Sequence, residues 1–150
     1  MSWAGKHPLI KRIRSLFRFK GQAPASSERT VKPLDDATRA ATEKKVQRWV
    51  AGKGYRLPEN SLRDVARRMG TDSVTLHRYF QEQGVDFRTW RTGLRIEDAK
   101  TELLREPRTP ASTIARRVGI NDRSNFLRQF LAHCGMTPGQ WRERQGDSGL

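Results

Sequence analysis

The sequence holds one cysteine, three histidines and no long apolar run, and each scarcity closes off a class of protein. Cys134 alone makes no internal disulfide and fits a reducing cytosol, so a cytoplasmic location is expected. His7, His77 and His133 are scattered, with no further ligand at metal-binding spacing, so neither a metal nor a cofactor is expected. No stretch of about 18 or more apolar residues occurs, so no membrane-spanning helix is expected. Acidic residues are scarce as well: 16 Asp and Glu stand against 30 Lys and Arg, a net charge of +14 in 150 residues. Such an excess predicts a polyanionic partner, either nucleic acid or an anionic membrane surface.

The charge is uneven. Residues 1–33 hold 8 basic residues and 1 acidic one, about half of the whole excess in a fifth of the chain. Within residues 1–20 the apolar side chains Leu9, Ile10, Ile13, Leu16 and Phe17 fall on one helical face between six basic residues, which predicts a short basic amphipathic arm. Residues 21–33 are rich in Gly, Pro, Ser and Ala without periodicity and read as a linker. A weak contact of residues 6–20 with an anionic membrane is one expectation for this arm, and a disordered tail that adds general DNA affinity is the other. The membrane alternative would tether DNA binding at a membrane or make it depend on a partner.

The remainder is organised around a near-repeat. Ala66-Arg67-Arg68-Met69-Gly70 recurs as Ala115-Arg116-Arg117-Val118-Gly119, each copy followed by a polar capping residue and a Phe-bearing amphipathic segment. Good helix formers run from Asp36 to about Ala51, ended by Gly52 and Gly54. Ser61 and Asp64 form a capping box opening a helix to Met69, Gly70 makes the turn, and Asp72 caps a helix over 73–83 that Gly84 stops. Asp86 caps a longer helix from Phe87 to about Arg105, roughly 28 Å long. Thr109 as cap and Pro110 as first helical residue begin the second unit, which runs to Val118, turns at Gly119 and restarts behind Asn121 as a helix over 122–133. Thr137-Pro138 begins a last short turn carrying Trp141. The expected fold is all-α: a flexible basic arm over 1–33, two helix-turn-helix subdomains (61–84 and 109–135) joined by a long linker helix (87–105) within a domain over 34–143, and a disordered tail over 144–150.

At about 100° per residue, Leu76 and Phe80 share the buried face of the first second-helix, with Val74 and Arg78 opposite and Thr75 flanking. In the second copy Phe126 and Phe130 are buried, Ser124 and Arg128 lie opposite, and Asn125 flanks. Small residues and one Arg near a helix N-terminus suit a DNA major groove. Arg bridges guanine O6 and N7, Ser and Asn bond base edges, and Val or a Thr methyl touches the thymine methyl. Arg67, Arg68, Arg116 and Arg117 on the preceding helices are candidates for phosphate contacts, which position without specifying.

These residues, with Ser61-Leu62-Arg63-Asp64-Val65-Ala66, the run Leu94-Arg95-Ile96-Glu97-Asp98-Ala99-Lys100 with Leu103-Leu104, and the closing Gly135-Met136-Thr137-Pro138 with Trp141-Arg142, make residues 42–143 resemble the DNA-binding region of the AraC/XylS family of bacterial transcription regulators. The resemblance implies a homeodomain-like double helix-turn-helix docking in successive major grooves, double-stranded DNA as partner with RNA polymerase as a further one, and no enzymatic activity. It also adds His77 at the edge of the first groove-facing set and Arg123 to the second, although the wheel alone turns Arg123 toward the core. Three departures stand out. Asp72 replaces the usual Ser, Ile120 replaces a usual Phe, and Gly93 inside the linker helix costs about 1 kcal/mol relative to Ala. Residues 1–33 are too short to form the effector domain that many family members carry. An enzyme is the least supported reading: His133 and Cys134 are neighbours on a helix and point about 100° apart, so adjacency does not make them a base and nucleophile.

Overall fold

The computed structural model describes residues 32–58 and 61–147. The basic arm expected over residues 1–20, most of the linker behind it and the last three residues lie outside that range. Among the described residues there are seven α-helices and no strand. They are α1 (Asp36–Ala51), α2 (Leu62–Met69), α3 (Ser73–Gln83), α4 (Phe87–Arg105), α5 (Ala111–Arg117), α6 (Arg123–Cys134) and α7 (Pro138–Asp147), with a 3-10 turn at Gly54–Arg56 between α1 and α2. The helices divide into two compact units, with the boundary after Trp90, inside α4, and with Tyr55–Leu57 belonging to the second unit.

In the first unit the expected caps are in place. Ser61 accepts from the Asp64 amide and Asp72 from the Thr75 amide, while Asp35 starts α1 by accepting from the Thr38 amide at 2.7 Å. Each cap satisfies a backbone donor that the first helical turn otherwise leaves open. Val46 and Trp49 of α1, Val65, Ala66 and Met69 of α2, and Leu76, Tyr79 and Phe80 of α3 form the core with Trp90. Trp49 and Trp90 stack with ring centroids 6.0 Å apart, and Phe80 lies 5.0 Å from Trp90. The start of α1 is tied to the end of α3: Arg39 Nε donates to Glu82 Oε2 at 2.8 Å, and the Leu34 amide donates to Glu82 Oε1 at 2.7 Å.

One carboxylate is out of place in this unit. Glu43 on α1 is 7 % exposed, and burial pushes its carboxyl up to about 7. A carboxyl raised on folding binds its proton more tightly in the folded state than in the unfolded one, so stability falls as pH rises from about 4.5 to 7 and is level above that. Glu43→Gln is therefore expected to stabilise the protein by about 1 to 2 kcal/mol at pH 8 and to leave it unchanged at pH 4.5. Thermal unfolding across that range measures it, and an effect of equal size at both ends would disprove it.

The second unit packs Ile96, Ala99 and Leu103 of α4 against Ile114, Ala115, Val118, Ile120, Phe126 and Phe130. Ile120 is buried and plugs this core in place of a larger aromatic. Gly93 sits within α4, which continues through it from Phe87 to Arg105. Three expectations at helix ends need correction. Thr109 is not a cap: its hydroxyl donates to Glu106 Oε2 at 2.8 Å, Pro110 takes the cap position without a side-chain bond, and α5 begins at Ala111. Asn121 is not the cap of α6 either. Asp122, one residue nearer, receives the amides of Ser124 and Asn125 at 2.8 and 3.1 Å, so the helix runs Arg123–Cys134. Finally, the short last turn is a ten-residue helix reaching Asp147, into the expected tail over 144–150. Its start is a full capping box, with the Gln140 amide donating to Thr137 Oγ1 and the Thr137 amide to Gln140 Oε1. Arg142 then anchors it by donating to the carbonyls of Leu103 and Thr109 and to that of Glu106, which also accepts the Thr109 amide, at the end of α4 and in its loop.

Candidate nucleic-acid interface

Each unit presents one short helix, a left-handed glycine turn and a second helix whose far side is open. Gly70 turns at φ 78° and Gly119 at φ 100°, in the region where a Cβ is strained. Ala66 and Ala115 are fully buried, which lets the paired helices approach closely. In the first unit Lys45 of α1 also holds the turn, donating from Nζ to the Gly70 carbonyl at 2.8 Å.

On α3, Leu76, Tyr79 and Phe80 point inward, while Val74 is 59 % exposed, His77 is exposed, and Thr75 and Arg78 are partly exposed. Thr75 is doubly bound to the cap: its amide donates to Asp72 Oδ1 and its hydroxyl to Asp72 Oδ2, both at 2.8 Å. The backbone bond first, then the hydroxyl bond, holds the Asp72 carboxyl below the usual carboxylate range, so Asp72 stays charged at neutral pH. With its proton committed, the Thr75 hydroxyl offers outward only lone pairs, beside its methyl.

On α6, Phe126 and Phe130 are buried, while Arg123, Ser124 and Arg128 are exposed and Asn125 is partly so. The wheel had turned Arg123 inward and the family resemblance outward. The structure places it outward, because the first residue of the helix projects beyond the edge of the core. Arg128 Nη2 donates to Asn125 Oδ1 at 3.1 Å.

The four basic residues of the repeated first helices do not share one environment. Arg67, Arg68 and Arg116 are exposed. Arg117, expected alongside them as a phosphate contact, is partly exposed and ion-paired: its Nη1 donates to Glu102 Oε2 at 2.7 Å and Glu106 Oε1 at 2.9 Å. Glu102 also receives Arg105, lies 3.8 Å from Arg56, and has a side chain only 1 % exposed. Arg56 in turn binds Asp98 through two nitrogens at 2.6 and 2.8 Å, and Asp98 accepts from the Tyr55 hydroxyl at 3.0 Å. No sequence signal distinguished Glu102 from the other acidic residues of a charged helix. The anchoring role of Arg142 was equally hidden, although the residue belongs to the closing signature.

Burial pushes the Cys134 thiol up to about 11 and lowers His133, the opposite of an activated thiolate beside a ready base. Among the described residues no three His, Cys, Asp or Glu side chains gather as metal ligands, and no helix is long and apolar enough to cross a membrane.

Comparison with known proteins agrees with this geometry. A family described as "Helix-turn-helix domain" matches residues 65–144. The chain is 36 % identical over 66 residues to the arabinose operon regulatory protein of Escherichia coli (strain K12), an alignment covering 44 % of this chain and 22 % of that protein. It is 30 % identical over 89 residues to the transcriptional activator NphR of Rhodococcus sp, covering 59 % and 26 %. To the transcriptional activator RhrA of Rhizobium meliloti (strain 1021) it is 34 % identical over 83 residues, covering 55 % and 26 %. The chain thus spans about a quarter of the length of the relatives it matches. Among solved structures, the C-terminal domain of AraT, a response regulator from Geobacillus stearothermophilus, is similar with a TM-score of 0.54 and 27 % identity, over 74 % of this chain and 87 % of that one. By its helix-turn-helix units and by these matches, the chain belongs to the AraC/XylS family and carries that family's DNA-binding region.

Proposed function

We propose that this protein is a sequence-specific DNA-binding transcription regulator that inserts α3 and α6 into successive major grooves of double-stranded DNA. The observation that carries the reading is the matched division of the two helices: Leu76 and Phe80, like Phe126 and Phe130, are buried, while Val74 and Arg78, like Ser124 and Arg128, remain at least partly open to solvent. Val74, Thr75, His77 and Arg78 on α3, with Arg123, Ser124, Asn125 and Arg128 on α6, are the base-facing set. Arg67, Arg68 and Arg116 supply phosphate contacts. The relatives named as an operon regulatory protein and as transcriptional activators support regulation as the use of this binding, with RNA polymerase as the protein partner such a role entails.

Selection of random duplex DNA by the full chain near physiological salt, followed by sequencing, tests the proposal. Two short motifs centred about 10 bp apart are the expected outcome. Salt-dependent binding with no enriched sequence would reduce the protein to a charge-driven binder and defeat the reading. Arg78→Ala or Arg128→Ala is expected to cost about 1 to 3 kcal/mol on the preferred site and to relax preference at one base position each. An equal loss on every sequence would demote that arginine to a phosphate contact.

A further inference from the structure

The two recognition helices treat their arginines differently. Arg78 and Arg128 each lie three residues after the flanking position, Thr75 in one helix and Asn125 in the other. The Thr75 hydroxyl is turned back to Asp72 at 2.8 Å. Asn125 instead turns forward: its Oδ1 accepts from Arg128 Nη2 at 3.1 Å and from Gln129 Nε2 at 3.4 Å. Arginine has no acceptor, so the amide oxygen must be the end facing it.

We propose that Asn125 is a positioning residue that holds Arg128 for guanine and does not itself read adenine. This rests on α6 being a base-reading helix. Reading adenine in the usual bidentate way requires the Asn oxygen to accept from N6 while the Asn nitrogen donates to N7. With two donors already on Oδ1, both lone pairs of that oxygen are engaged and only the Nδ2 donors remain. The single bond from Nη2 leaves four of the five guanidinium donors of Arg128 available, enough for the paired contact with guanine O6 and N7. An exposed arginine otherwise surrenders rotamer freedom when it binds, and a side chain held in advance surrenders less. Arg78 has no such holder at the matching position, so the second unit is the more stringent reader of guanine.

The test is the selection of random duplexes by the full chain as wild type, Arg128→Ala, Asn125→Ala and Asn125→Asp. The guanine that Arg128→Ala loses marks the position read by Arg128. Asn125→Ala is expected to lower the preference for that guanine roughly tenfold. Asn125→Asp, which keeps the acceptor and removes the amide donors, is expected to retain the preference within about threefold while binding all DNA more weakly. Unchanged preference at the base read by Arg78 reports in the same experiment that each variant is folded. The proposal is overturned if Asn125→Ala leaves the guanine intact, if both Asn125 variants lose it, or if they lose a neighbouring adenine instead. A wild-type selection that enriches no sequence overturns the base-reading role of α6 and this inference with it, whereas the other failures leave that role standing.

Discussion

Replacing Gly119 by alanine is expected to destabilise the protein by about 3 kcal/mol or more, whereas the same change at Gly70 costs about 1 kcal/mol. Both glycines have positive φ, so both substitutions meet the strain of an L-residue in the left-handed region. At Gly70 that is all, because a Cβ there has nothing within 4 Å. At Gly119 a Cβ would lie 2.6 Å from the Arg56 carbonyl oxygen and 3.0 Å from Arg95 Nε. Neither obstacle yields easily. Arg95 donates to the carbonyls of Tyr55 and Leu57 on either side of Arg56, and Arg56 is itself clamped to Asp98. Moving one element strains the other, so the clash cannot relax as it would against the tip of a free side chain. Urea unfolding of the two variants measures the difference, and equal midpoints would refute it. In the DNA selection, Gly119→Ala is expected to lose the motif half read by α6 and keep the half read by α3.

Glu102→Ala is expected to cost about 3 kcal/mol at pH 7, the lower end of the range for breaking a buried ion pair. The lower end applies because the arginines left behind retain solvent: the Arg105 and Arg117 side chains are 63 % and 33 % exposed. Burial alone would raise the Glu102 carboxyl, but the hydrogen bonds from Arg117 and Arg105 and the charges of Arg105 and Arg56 outweigh it and leave it below the usual value. A carboxyl lowered on folding contributes stability that is present above its unfolded value and is lost as pH falls through the folded one. Wild type should therefore lose this contribution below about pH 4.5, and the variant, lacking it at the outset, should show a shallower acid limb. Glu102→Gln keeps the shape without the charge and should fall between them. Superimposable melting curves for wild type and Glu102→Ala at pH 7 would mean that the cluster contributes nothing.

The helix starts were legible wherever a short polar side chain met its own backbone. Ser61, Asp72 and Asp86 each accept from an amide three residues on, a bond that the order of residues suffices to specify. The same rule misplaced the caps of the second unit, where two adjacent residues in each case offered an oxygen or a proline. At Asn121-Asp122 the one whose reach matched the second and third amides took the role. The length of α7 was missed because Gly139, Gly146 and many polar residues make a weak helix by propensity. Its capping box and the Arg142 anchor on α4 supply what propensity does not.

By itself the sequence determined that this chain makes paired short helices with glycine turns, which faces carry the aromatics, and that the opposite faces hold arginine. Those features depend on contacts within about four residues and on helical periodicity. Only the tertiary structure decided which members of the two near-identical copies differ in their surroundings. Arg117 meets Glu102 across 15 residues of sequence, and Gly119 meets the Arg56 carbonyl across more than 60. Partners so far apart in the chain are brought together by the packing of the second unit, and no local pattern encodes that a turn glycine will face another segment's carbonyl or that an arginine will meet a buried carboxylate.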